Sequence, residues 1–362
     1  MARPRTVYRA KGKYGWLVTL LAALLVAAVL GGLWLFYYLQ RFLVYDKDTV
    51  RLVLPGDRVQ ASPISDDGEG PAATFTPVEV EIVVDPSDYS DVEAVAGKDL
   101  RTIHARFLGS DDLTQTRLDG LAAGMGDYDA LVLELKPALG MLRYQSGLAL
   151  ADSYRVNGSL ALRETTEKLK ARDVYLVARL SALVDTSLAT RNAPEALKNS
   201  SGSGVFMQGS LAWLDPYSTL VRDYLSDLMF ELRELGFDEI LFNGLYLPDS
   251  PLLEYSTPMT GTPDPVSAVS ALAMYLRAQG EAAGLRVSVQ VEGDALVNGG
   301  SARLGQDLEL YFKIFDRVAF DVAADKRETA VSALRAVAGE SDGRLLPIAD
   351  APVAGLESWV IR

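Results

Sequence analysis

From about residue 100 onward the chain alternates short apolar runs with longer segments in which apolar residues recur every three or four positions. The runs 101-RTIHARFL-108, 130-ALVLEL-135, 174-VYLVARL-180, 239-EILF-242, 286-RVSVQVE-292, 317-RVAFDV-322, 344-RLLPIA-349 and 357-ESWVI-361 are brief and rich in branched residues. Strands covered on both faces have this pattern. Helical spacing fills 113–125, 159–171, 216–235, 266–284, 302–315 and 327–339. Asp215 is a candidate N-cap with Pro216 at the first helical position, and Gly236 supplies the stop. Asp111 and Asp112 read as the cap of a helix beginning near Leu113. Eight strands alternating with helices predict a TIM-type (β/α)8 barrel over residues 100–362. Residues 350–356 are too short for a helix, and a doubly wound open sheet is the alternative.

The N-terminal third follows other rules. Residues 16–39, WLVTLLAALLVAAVLGGLWLFYYL, contain no charge, and about 20 apolar residues suffice to span a bilayer core. Trp16 at one end and Trp34, Tyr37 and Tyr38 at the other stand where aromatic belts form. Residues 1–15 carry Arg3, Arg5, Arg9, Lys11 and Lys13 and no acid, which predicts a cytoplasmic tail and an extracytoplasmic body at the cell membrane. A cleaved signal peptide is the alternative, but the apolar run is long and ends in bulky aromatics rather than small residues. Residues 40–99 read as an extracytoplasmic linker with short strands: 45–56 extended, 57–77 rich in Pro, Gly, Ser and Asp, and 78-VEVEIVV-84 alternating.

Charge narrows the partners. The chain carries a net −13, and removing the five basic residues of the tail leaves −18 on the rest. Such a body repels phosphate backbones and anionic lipid headgroups, so nucleic acid is not an expected partner. There is no cysteine, which excludes disulfides, thiol catalysis and thiolate metal sites. His104 is the only histidine and sits within the first strand, so no second imidazole can share a metal with it. No Gly-x-Ser-x-Gly elbow is present. The segment 201-SGSGVFMQG-209 follows no strand and lacks a phosphate-loop lysine, so it reads as a loop over the barrel mouth. No metal and no cofactor is implied.

The stretch 213-WLDPYSTLVRDYLSDLMFELRELGFDEILFNGLYLP-248 closes on a buried strand that ends at Asn243-Gly244. It resembles a bacterial family of glycosyl hydrolase domains, often membrane-anchored barrels distantly similar to α-amylase-type glycosidases. That family's pattern is Trp-(Val)-Asp-Pro-Tyr, an amphipathic helix, then Gly-Phe-Asp-Glu-Ile-x-Phe-Asp-Tyr-(Ile/Val)-Arg-Phe-Pro. Trp213, Asp215, Pro216, Tyr217, Gly236, Phe237, Asp238, Glu239, Ile240, Phe242 and Pro248 match it. Weaker echoes lie at 131–144, 177–189 and 305-GQDLE-309. The departures fall at strand ends. Asn243 stands where the family has Asp, and Gln290 where its next strand has Ser-x-Asp-Val-Phe-Gly. The Asp of its Asp-Val-Lys is Glu134 here, with Lys136 kept.

The resemblance implies a carbohydrate-directed barrel, and the departures imply weakened catalysis. Glycoside hydrolysis ordinarily needs two carboxyl groups, and an amide has the shape of one without its charge or proton. Glu134 and Glu292 are the catalytic candidates, with Asp185, Asp294 and Asp321 also near strand ends. Glu134 and Lys136 are two apart on a strand, which predicts a shared face and a possible ion pair. Lys136, Arg179, Asp185, Trp213, Asp215, Asn243, Tyr246 and Gln290 are candidates for substrate contact, although Arg179 suits a structural salt bridge equally well. Cell-envelope carbohydrate or an envelope protein is the expected partner. A degenerate binder, an active glycosidase with rearranged carboxylates, and a purely structural envelope protein are the readings left open.

Overall fold

The structure, a computed structural model, describes two short strands, Leu43–Asp46 and Thr49–Leu52, and residues 100–362 apart from 200–203, 251–252, 255–263 and 340–341. The basic tail, the apolar run 16–39, the linker 57–77 and the run 78–84 lie outside the described residues. Among those described, no helix is long and apolar enough to cross a membrane. The two short strands form an antiparallel hairpin, Leu43 opposite Leu52 and Asp46 opposite Thr49.

The second unit is a closed barrel of eight parallel strands: β1 (His104–Leu108), β2 (Ala130–Lys136), β3 (Tyr175–Ser181), β4 (Glu239–Asn243), β5 (Arg286–Val291), β6 (Val318–Phe320), β7 (Leu345–Ala349) and β8 (Trp359–Ile361). Each strand pairs with its sequence neighbours, and β8 closes on β1 with Trp359 opposite His104 and Ile361 opposite Arg106. The open-sheet alternative is excluded. Among the described residues, six helices of seven residues or more lie between strands: α1 (Gln115–Ala123), α2 (Leu162–Lys170), α3 (Thr219–Glu234), α4 (Pro265–Ala283), α5 (Leu308–Ile314) and α6 (Arg327–Ala338), with shorter ones at Ala149–Ser153, Thr186–Arg191 and Gly293–Val297. The link from β7 to β8 contains no helix, as the seven residues 350–356 predict.

Period-two alternation sorts the strand side chains into two cores. Ala105, Ala130, Val132, Val177, Leu241, Ala319, Leu346, Ile348 and Val360 fill the barrel interior. Ile240, Phe242, Val287 and Val289 face the helices. The N-terminal end of the barrel is plugged by a polar network. Buried Glu239 accepts from Ser288 Oγ at 2.6 Å, Tyr175 Oη at 2.9 Å and Arg317 Nε at 3.2 Å. Burial, then the charge of Glu239, pushes the Tyr175 phenol far up, so it remains a donor. His104 belongs to this end too, stacked on Trp359 with ring centroids 4.6 Å apart, on the opposite face from the mouth.

Several element ends differ from the sequence pattern. Asp215 does not cap α3: its carboxylate accepts from Tyr217 N–H at 2.9 Å, forming a turn, and Ser218 is the N-cap, accepting from Val221 N–H at 3.1 Å. Asp111 and Asp112 likewise yield the cap of α1 to Thr114, whose hydroxyl accepts from Arg117 N–H at 3.3 Å. The helix expected over 302–315 is split, because Gly305 adopts φ +81 between a 3-10 turn at Ser301–Leu304 and α5.

Candidate functional site

Barrel enzymes carry their chemistry at the C-terminal ends of the strands. Continuing the interior alternation past the last apolar layer brings Phe107, Glu134, Arg179, Asn243, Gln290, Asp321 and Arg362 to that rim. Arg179 spans it. Its guanidinium pairs with Glu134, its Nε donates to Gln290 Oε1 at 3.0 Å, and it lies over the Phe107 ring at 5.6 Å. The other oxygen of Glu134 accepts from Ser110 N–H at 2.9 Å. Burial lowers the Arg179 pKa, opposed by Glu134 and Asp321, yet a guanidinium stays charged. Glu134 is therefore a committed counter-ion.

Beside this bridge lies a cavity of about 100 Å³ lined by Arg179, Asn243, Tyr246, Gln290 and Glu292, with Ala138 and Leu211 from neighbouring loops. That is room for about three waters, against roughly 300–1,000 Å³ for an ordinary ligand pocket. Glu292 follows β5, and its carboxyl makes no hydrogen bond or ion pair to a described residue. Burial raises its pKa, reinforced by Asp294 and Asp321. Burial followed by Glu292 pushes the Tyr246 phenol up to about 12. Asp321 is also raised by burial, against the opposing pull of Arg362 and Arg179. Asn243 Oδ1 is buried without a hydrogen-bond partner among the described residues.

Other expected site residues stand elsewhere. Lys136 does not share a face with Glu134. The register of β2 against β3 shifts between these two residues, so Glu134 lies opposite Arg179 while Lys136 lies opposite Leu180, on the helix-facing side. There Lys136 is fully buried with Asp185, Nζ to Oδ2 at 2.7 Å, and donates to Ser181 O at 2.6 Å. Asp185 caps the helix Thr186–Arg191 by accepting from Leu188 N–H at 2.8 Å. Gly140 (φ +84) makes room for it, since a Cβ there would stand 1.8 Å from Asp185 Oδ1. Neither Lys136 nor Asp185 can reach a ligand.

Trp213 is 2% exposed, wedged edge-on between Phe206 and Tyr246 with centroids 6.1 and 6.3 Å away, so it offers no flat face to a sugar. Asp215 is buried in its turn. Tyr217 and Tyr246 are half-buried. Of the expected set the mouth thus gathers Glu134, Arg179, Asn243, Tyr246, Gln290 and Glu292. Sequence reading missed Arg362, which pairs with Asp321 and lies 3.9 Å from Asp350. Its signal was parity with inward-facing Val360. Among the described residues no three acidic or histidine side chains converge as a metal group.

The profile of the putative glycosyl hydrolase domain family matches residues 105–320. The chain belongs to that family. No curated protein matches it. Among solved structures, the glycoside hydrolase domain of PgaB (BpsB) from Bordetella bronchiseptica superposes with a TM-score of 0.54 at 16% identity, covering 72% of this chain and 94% of that one. A hypothetical protein from Ruminiclostridium thermocellum gives 0.45 at 22% identity over 51% and 96%. The glycoside hydrolase domain of PelA from Pseudomonas aeruginosa gives 0.39 at 15% over 68% and 83%. At such identities the likeness to PgaB is one of barrel fold, and fold alone does not specify activity.

Proposed function

We propose that this member of the glycosyl hydrolase family is a membrane-anchored, extracytoplasmic protein whose barrel mouth binds cell-envelope carbohydrate, or an envelope protein, without cleaving a glycosidic bond. The observation that carries this reading is the Arg179 bridge. Arg179 ties up Glu134 and Gln290, and Asn243 is an amide, so Glu292 is left as the one uncommitted carboxyl lining a cavity of about 100 Å³. A glycosidase needs two. The charge-free run 16–39 behind a basic tail supports the anchor and its orientation.

The test is a glycan array and hydrolysis screen of the full chain beside an Asn243→Asp, Gln290→Asp double variant. The expected result is binding without turnover by the parent and turnover gained by the variant. The rival reading, an active glycosidase with Glu292 as general acid, draws support from the raised pKa of that carboxyl. Parent turnover at an ordinary enzymatic rate, abolished by Glu292→Gln, would establish the rival. For the anchor, protease added outside intact cells should digest the barrel; a barrel that resists it and stays soluble after lysis sinks the proposed topology.

A further inference from the structure

The sequence contains three Asn-Gly pairs: Asn157-Gly158, Asn243-Gly244 and Asn298-Gly299. In such a pair the glycine nitrogen, with no Cβ beside it, has unusually open access to the preceding side-chain amide. The fold holds the three differently. At Asn157 both reacting groups are occupied. Oδ1 accepts from Ser146 N–H at 2.6 Å, Nδ2 donates to Ser146 O at 2.8 Å and Asp152 Oδ1 at 2.9 Å, and Gly158 N–H donates to Tyr144 O at 2.9 Å. Asn298 is exposed, and Gly299 N–H makes only a long contact of 3.4 Å to Leu296 O.

Asn243 resembles neither. It is half-buried at the end of β4, and its Oδ1 has no partner among the described residues. Gly244 N–H donates to no backbone carbonyl there. The peptide carbonyls are fixed from outside, that of Asn243 by Ala182 N–H at 2.8 Å and that of Gly244 by Leu183 N–H at 3.0 Å. The amide and the nitrogen that can attack it are therefore both unengaged, at the wall of the cavity that Glu292 also lines.

We infer that Asn243-Gly244 is a self-modification site, at which the mouth amide converts to a carboxylate without an enzyme. The Gly244 nitrogen bonds to Asn243 Cγ, and the amide nitrogen leaves as ammonia, carrying the Gly244 N–H proton with it. One water then opens the five-membered imide, which returns the N–H to Gly244 and leaves a carboxyl on residue 243. Attack at Cγ gives the ordinary aspartyl linkage, and attack at the backbone carbonyl gives the iso linkage. No electron changes hands. The product places a second free carboxyl beside Glu292, the number glycoside hydrolysis requires.

The experiment incubates the full chain at mildly alkaline pH, folded and in parallel unfolded in urea. Peptide mapping by mass spectrometry follows the three asparagines. Unfolded, all three should convert at similar rates. Folded, Asn243 and Asn298 should stay within about tenfold of their unfolded rates, while the hydrogen bonds at Asn157 hold it at least about tenfold below both. Asn243 remaining as intact as Asn157 in the folded chain overturns the inference. Gly244→Ala is unsuitable as a control, because φ is +60 and a Cβ would stand 2.5 Å from Ser181 Oγ. Asn243→Gln, which should not convert, serves instead. The mass readout does not depend on carbohydrate binding, so a failure of the proposed function leaves it standing.

Discussion

Lys136→Met should destabilise the barrel strongly while leaving the mouth unchanged. Lys136 and Asp185 are both 0% exposed and 2.7 Å apart. Asp185 Oδ2 has no well-directed hydrogen bond, so the contact is chiefly Coulombic, although Oδ1 still caps Leu188. Removing the ammonium strands a carboxylate in a dry interior, and breaking a buried pair in this way costs about 3–5 kcal/mol. That is a large share of the roughly 5–15 kcal/mol that holds an ordinary domain together. Replacing both charges costs far less, because no charge is then left alone. Lys136→Met with Asp185→Asn keeps a cap acceptor and should recover more than half of the loss. Urea unfolding followed by tryptophan fluorescence measures both, with an unchanged slope as the check on two-state behaviour. A Lys136→Met cost below about 1 kcal/mol, the level of a surface pair, would refute the placement of this pair behind the barrel wall.

Gly140→Ala should cost about 2 kcal/mol or more in the same assay, from a left-handed backbone and a Cβ driven into Asp185. Tyr224→Phe should shift stability by less than about 0.5 kcal/mol, since its buried Oη has no hydrogen-bond partner among the described residues to lose. Tyr144→Phe should cost about 1–3 kcal/mol, because it breaks a 2.7 Å bond to Glu231. The raised pKa of Glu292 makes it bind more protons folded than unfolded as pH rises through the carboxylate range. Its contribution to stability therefore falls between its unfolded and folded pKa values. Glu292→Gln should accordingly be more stable than the parent at neutral pH and equal to it below the ordinary carboxylate range. A constant difference across pH would show that the environment of Glu292 has been misread.

The barrel strands were legible because each is a short apolar run whose interior and helix-facing positions both need hydrophobic residues, so eight could be counted without knowing how they pair. The helix starts were less legible. Asp215-Pro216 has the composition of a cap, but its carboxylate closes a turn one step earlier, and the hydroxyl of Ser218 takes the capping role. Composition does not distinguish these uses. In the mouth, the strand-end residues Glu134, Arg179, Asn243, Gln290 and Glu292 could be listed from sequence. That Arg179 would neutralise Glu134 could not, because the two residues are 45 apart in the chain and meet only through the register of β2 on β3. Trp213 was a candidate for substrate contact, and only packing shows that it is buried between Phe206 and Tyr246.

The irregularity near the end of β2 also bears on how far residue counting can be carried along this chain. One extra residue reverses the odd-even rule for everything downstream on that strand. A lysine that would otherwise have pointed into the mouth beside Glu134 is turned out into the wall. Deleting Leu135 should not bring it back, because the lysine would then follow Glu134 directly on a regular strand, still opposite Leu180 and still facing the wall, so the entrance should keep its charge.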